Sequence, residues 1–303
     1  MGVVHRQAGR HHEALEAYED ALVLAEKFDL RKRRRALLNN AGLALAYLGK
    51  FSDALDRYNE ALEQVRRLGH RTEEANLLVN IGHCHLLRGE LDAAQTAIRR
   101  GIYLARKTNA VQTLADGLIS LGAVYLDEGE FDKAQHTLHE GLRLADSIPN
   151  VYLSVHATLA LAQVHLSSQT SDAARIALMQ AEDALERSEQ ADMKWGMGYG
   201  HSLMARALKI LGRRDEAVEH SQQAVALVDA GEVFSIEEIL YHHAQILPDE
   251  PELEDDRRQA ITRAREVVRH RRDEIRDEEL RKLYLSRPMN RQILNAAKLM
   301  VGD

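Results

Sequence analysis

The chain is poor in residues that interrupt or cross-link a fold. Only four of its 303 residues are proline (Pro149, Pro248, Pro251 and Pro288), so nothing in the first 148 positions removes a helical backbone donor. A single cysteine, Cys84, excludes an intrachain disulfide scaffold and fits a cytoplasmic compartment. A basic excess is also missing: the net charge is −7 and the isoelectric point near 6.1, against a nucleic-acid-binding domain. No apolar run approaches the length of a membrane span, and the N-terminus lacks the basic-then-apolar pattern of an export signal.

What the chain has is a repeat. Gly2, Gly42, Gly82 and Gly122 stand 40 residues apart, and Ala162 takes the next place. Seven residues after each glycine comes a breaker (Gly9, Gly49, Gly89, Gly129), and five further an alanine (Ala14, Ala54, Ala94, Ala134, Ala174). Seven beyond that is another small residue (Ala21, Ala61, Gly101, Gly141, Ala181). A sixth copy, shifted to a spacing of 43, holds Ala205, Gly212, Ala217 and Ala224. One supersecondary unit is being stacked, which makes length a poor guide to domain number. In the second copy, Leu37, Leu38, Ala41, Leu45 and Leu48 recur at helical spacing, Gly49-Lys50 ends that helix, and Phe51 begins another. The second helix turns Ala54, Leu55, Tyr58, Leu62 and Val65 inward. Gly42, Ala54 and Ala61 are small because two antiparallel helices cross closely there.

This frame resembles the tetratricopeptide repeat (TPR) family: a small residue in helix A, a turn breaker seven on, then alanines five and twelve beyond it. The period exceeds the family's roughly 34 residues. The surplus follows the last small residue of each unit, so the helices should be longer by about 1.5 turns. That longer variety occurs in kinesin light chains and bacterial peptide-sensing regulators. The resemblance implies an all-α fold, a right-handed TPR superhelix (α-solenoid) of about 6–7 helix pairs with C-terminal capping helices. Residues 1–231 would hold six repeats, and 232–303 a degenerate seventh pair at 237–285 plus the cap. Met1 falls where the first helix should already be under way, which is the expectation for a chain whose array begins further upstream. Residues 249–256, with six acids and a proline, read as a loop. Residues 257–285 read as one long charged helix with Ile261, Ala264, Val268 and Ile275 on its buried edge. Pro288 starts a last helix carrying Ile293, Leu294, Ala297 and Leu299. The string at 280–294 resembles the segment closing repeat arrays in large bacterial signalling proteins that carry a kinase, cyclase or ATPase switch domain.

Stacking the copies separates core from surface. Val4, Ala44, Cys84, Val124, Val164 and Ala207 share one small, apolar column, so Cys84 is expected to pack as a core methyl substitute. The next column, His5, Leu45, His85, Tyr125, His165 and Leu208, reads as packed side chains. His83, Cys84 and His85 cannot converge on one metal ion, because consecutive helical residues point about 100° apart. Two columns are polar and irregular: Val3, Leu43, His83, Ala123, Gln163, Arg206, and Asn40, Asn80, Ser120, Ala160, Leu203. The resemblance places these on the concave groove. Asn40 and Asn80 are the leading candidates, since a carboxamide can pair with both the N–H and the C=O of a peptide. They can equally tie adjacent repeats together. Asn39, Tyr47, Asn76, His83, Asp116, Ser120, Gln163, Arg206 and Lys209 complete the expected partner-binding surface.

The family's clamp for a chaperone's C-terminal carboxylate needs helix-A cations. Here those columns read Asn39, Val79, Ile119, Leu159, Ser202 and Ala36, Asn76, Asp116, His156, Tyr199, with none. The basic run Arg31 to Arg35 reads as a solvated helix start or a partner for Glu26 and Asp29, nucleic-acid binding being the alternative. Gly42 to Lys50 fails as a phosphate loop: six residues separate the glycines, and Phe51 stands where Ser or Thr is needed. No enzyme, cofactor or metal motif is present. The expectation is a protein- or peptide-binding module of a bacterial signalling protein, with self-assembly through the C-terminal helix as a further alternative.

Overall fold

A computed structural model describes residues 10–231 and 235–300, together with Gly2, His5 and Val233. Val3, Val4 and the breaker Gly9 lie outside the described residues. The described residues form fifteen α-helices and no strand. They are α1 (His11–Lys27), α2 (Arg31–Tyr47), α3 (Phe51–Leu68), α4 (Arg71–Arg88), α5 (Leu91–Lys107), α6 (Val111–Asp127), α7 (Phe131–Asp146) and α8 (Val151–Leu166). They continue as α9 (Ser171–Gln190), α10 (Lys194–Ile210), α11 (Arg214–Asp229), α12 (Ile236–Ile246), α13 (Glu254–Asp273), α14 (Glu278–Ser286) and α15 (Pro288–Met300). No described helix is long and apolar enough to cross a membrane.

The repeat columns become the core. Ala14, Ala54, Ala94, Ala134, Ala174 and Ala217 are at most 1% exposed. Ala44, Cys84, Val124, Val164 and Ala207 are buried too. Burial pushes the Cys84 thiol up to about 12 and its S–H points at the Phe51 carbonyl, so it packs as a small apolar group. The turn glycines Gly49 and Gly89 sit at φ 81° and 87°, a left-handed conformation that favours glycine. Each even-numbered helix from α2 to α12 packs beside the next even-numbered one. These helices form the inner wall of the superhelix, and the odd-numbered ones from α1 to α11 its outer layer.

The C-terminal region differs from the sequence reading. The acidic stretch 249–256 is only partly loop, because Pro251–Leu253 is a 3₁₀ turn and α13 already starts at Glu254. The expected long helix at 257–285 is two helices. The chain leaves α13 after Asp273, and Asp277 restarts it by accepting a hydrogen bond from the Leu280 N–H at 2.9 Å. Ile275 remains fully buried, but in the turn between the helices. Pro288 does open the last helix; Ile293 and Ala297 are buried while Leu299 is solvent-exposed.

Candidate functional site

Four inner helices surround a cavity of about 370 Å³. The first, α2, supplies Asn39, Asn40, Leu43 and Tyr47; α4 supplies Asn76, Asn80 and His83. Gln112, Thr113, Asp116 and Ser120 come from α6, and Asn150, Tyr152, Leu153 and His156 from the start of α8. Eight of the eleven expected site residues therefore meet here. The lining holds six carboxamide side chains and no lysine or arginine. It suits neutral polar groups with both donors and acceptors, rather than an anion.

The wall closes because the superhelix turns sharply. Tyr47 on α2 and Tyr152 on α8 meet hydroxyl to hydroxyl at 2.8 Å, although 105 residues separate them. Tyr47 stacks on His11 (ring centroids 4.8 Å apart) and meets His83 edge-on, while Tyr152 packs on Trp195 at 4.9 Å. Burial holds His83 and His156 down to about 4; at His83 the neighbouring His156, with which it cannot readily share a second proton, and the Arg287 charge add to the effect. Both imidazoles are thus neutral near pH 7.

Asn80 donates from Nδ2 to Asn39 Oδ1 at 2.8 Å, bridging α4 to α2. The inter-repeat tie and the cavity-lining position therefore coincide at Asn80, whose second N–H and carbonyl have no side-chain partner among the described residues. Its partner is Asn39 rather than Asn40. Asn40 makes no side-chain hydrogen bond among the described residues and faces the cavity.

A second cavity of about 380 Å³ adjoins the first and shares Tyr47, His83 and His156 with it, so the two lie in line as one inner channel divided by those three side chains. Gln163 and Arg206 line this second part. Both serve Glu238 of α12: Gln163 Nε2 donates to Oε1 at 3.1 Å, Tyr199 OH donates at 2.9 Å, and Arg206 Nη1 lies at 3.6 Å. Burial alone would raise the Glu238 carboxyl, but His242, Arg206 and Tyr199 together hold it below its usual range. Lys209 lines neither cavity; it is exposed and donates to the Gln245 carbonyl.

Part of the second cavity's wall comes from the C-terminal region: Arg271, Arg287 to Asn290, and Gln292. Arg287 donates to Asp127 Oδ2 from Nε at 3.0 Å and from Nη2 at 2.8 Å, and to the Leu87 carbonyl at 3.1 Å. Burial works against its charge, but Asp127, Tyr284 and Glu237 together outweigh burial and raise its pKa. Repeat columns could not reveal this wall, because it belongs to no repeat. Tyr152 and Asn150 were missed because they stand at the head of α8, outside the mid-helix columns.

Other sequence candidates are structurally engaged. Arg31 pairs with Asp29 at 2.9 Å, Arg34 with Glu60, and the buried Arg35 with Glu73 at 3.1 Å. Only Lys32 and Arg33 of the basic run make no such pair among the described residues. His83 and His85 diverge: His83 faces the channel, while His85 lies 3.1 Å from Glu90. His165 bridges its own helix and the next, lying 2.9 Å from both the Leu161 carbonyl and Gln180 Oε1.

A Rap protein complexed with competence and sporulation factor is structurally similar, with TM-score 0.61 and 13% identity, over 96% of this chain and 85% of that one. The apo form of RapI gives TM-score 0.60 at 11% identity, over 87% and 97%. The Rap conjugation gene regulator of plasmid pLS20, in complex with the Phr* peptide, gives 0.60 at 15%, over 88% and 74%. BtubC from P. vanneervenii gives 0.55 at 15%, over 74% and 91%. No curated protein sequence matches. The sequence model of the MalT-like TPR region matches residues 2–197, most of the chain. The chain belongs to the MalT-like TPR family, folded as a right-handed all-α TPR superhelix.

Proposed function

We propose that this chain is a protein-binding scaffold whose inner channel holds a peptide segment, acting as the sensor part of a bacterial signalling protein. The observation that carries this reading is the amide-lined cavity itself. Carboxamides from four successive inner helices face one space large enough for a few residues. A peptide's N–H and C=O groups lose water there and need replacement partners, which carboxamides supply in both senses. Two structural neighbours are described as complexes with the Phr* peptide and with competence and sporulation factor, which supports a ligand on this kind of array. In this reading residues 1–231 are the recognition array and 232–303 close it.

The test uses peptides selected by display on the immobilised protein. Replacing Asn40 and Asn80 together by Ala removes about two hydrogen bonds to ligand, each worth about 0.5–1.5 kcal/mol net. Affinity should then fall by about 5- to 150-fold, with helicity by circular dichroism unchanged. Unchanged affinity would remove the cavity from the account.

A further inference from the structure

Hydrogen bonds are unevenly shared among the arginines of the second cavity. Among the described residues three arginines line it: Arg206, Arg271 and Arg287. Arg271 donates to Glu237, and Arg287 donates twice to Asp127 and once to the Leu87 carbonyl. Arg206 makes no hydrogen bond among the described residues, and its one ion pair there is the 3.6 Å approach of Nη1 to Glu238. Glu238 does not depend on that contact. It already accepts from Gln163 at 3.1 Å and from Tyr199 at 2.9 Å, and His242 lies 3.7 Å away.

The guanidinium is also turned in a particular way. Its side chain is only 18% exposed, and Nη1 is fully buried on the side of Glu238. Nε and Nη2 are not closed off like Nη1. Those two nitrogens form the edge that takes a carboxylate with two parallel N–H···O bonds. A mostly buried guanidinium with unspent donors is costly, and an acceptor brought by a ligand removes that cost. Much of the cavity's remaining wall is apolar, with Leu86, Leu126, Leu159 and Trp195. Such a wall excludes water from an incoming group and strengthens its attraction to a cation.

Resting on the reading of the channel as a peptide site, we propose that Arg206 is a subsite for a carboxylate of the bound peptide, and so fixes the direction in which the peptide lies. The amide-lined cavity ends at Tyr47, His83 and His156, where the second cavity begins. A peptide held by the carboxamides passes these three side chains and presents its acid group to Arg206. Arg271 and Arg287 cannot take that place without giving up their own ion pairs. The carboxylate is the peptide's C-terminus or the side chain of an Asp or Glu near that end, and the two are told apart by synthesis.

A random mixture of synthetic hexapeptides with free C-termini is passed over the immobilised full chain, and the retained peptides are identified. Each is remade as the C-terminal amide, and separately with its Asp and Glu changed to Asn and Gln. All forms are titrated by calorimetry against the parent protein and Arg206→Gln. In the parent, one of the two changes should weaken binding about tenfold or more, and which one it is names the source of the carboxylate. In Arg206→Gln the same change should cost no more than about twofold, while the peptide lacking the carboxylate binds as it does to the parent. Should Arg206→Gln lose every peptide, Arg206→Lys decides, since it keeps the charge without the fork: a loss reduced to about threefold supports the proposal and an undiminished loss overturns it. Peptides that bind the parent equally well without their carboxylates would overturn the proposal and leave the channel reading standing. Retention of no peptide at all would remove the channel reading, and the Arg206 subsite with it.

Discussion

Two glycines on inner helices separate the close-crossing argument from ordinary helix propensity. An alanine Cβ at Gly82 would lie 2.4 Å from Ile98 Cγ1, 2.9 Å from the Ala94 carbonyl oxygen and 3.0 Å from the Ile98 nitrogen. Two of those three atoms are backbone of α5, which cannot rotate away. At Gly200 in α10 the nearest atoms are the Leu185 Cβ at 3.5 Å and the Ala181 oxygen at 3.6 Å, an ordinary packing distance. Replacing a mid-helix glycine by alanine gains about 1 kcal/mol in either helix. Overpacking costs about 1–3 kcal/mol, and contact with backbone places Gly82 toward the upper end. Gly82→Ala should therefore lose about 1–2 kcal/mol net, and Gly200→Ala should gain up to about 1 kcal/mol. Urea unfolding at 25 °C, followed by far-ultraviolet circular dichroism, reads the order of midpoints, the safer comparison for an array. A Gly82→Ala midpoint at or above the parent, or a Gly200→Ala midpoint as low as that of Gly82→Ala, would refute the crossing argument.

Acid should weaken the fold through His83 and His156. Both are neutral in folded and unfolded chains above pH 6.5; between 6.5 and about 4 only the unfolded chain takes up the proton, so stability falls as pH drops through that window. The loss is at most about 3 kcal/mol per histidine. The urea midpoint should drop from pH 7.5 to pH 5, and less so after His83→Gln and His156→Gln; equal drops would contradict the assignment. Cys84, with its thiol pushed up to about 12 inside the core, should react with a disulfide reagent at pH 8 only as fast as α4 opens. Complete labelling within the mixing time of native protein would show that its packing is wrongly placed.

The array was legible because it is periodic. Ala54, Ala94 and Ala134 recur where two helices must cross, and burial follows at each. The chamber was legible in part for the same reason: Asn76 and Asp116 share a column, as do Asn80 and Ser120, and each pair occupies equivalent places on neighbouring helices. Contacts between distant repeats leave no periodic trace. Tyr47 meets Tyr152, and Arg287 meets Asp127, only because the superhelix turns through several repeats, an angle no column records. The break after Asp273 was missed for a different reason. The apolar spacing runs on through Ile275, and the signal for a new helix is the capping carboxylate of Asp277 just ahead of Glu278 and Glu279. Lys209 shows the opposite failure: being on an inner helix did not bring it into the channel, because its ammonium turns to the Gln245 carbonyl instead.

The central claim is that carboxamides in the channel read a peptide's backbone. A display-selected peptide can be compared with analogues methylated on one backbone nitrogen at a time, by calorimetry, against the unaltered protein. Methylation removes a single donor and leaves the side chains in place. The account predicts that one or two positions lose about tenfold in affinity or more, and that these losses disappear in the Asn40→Ala, Asn80→Ala protein. Equal binding of every methylated analogue would contradict it.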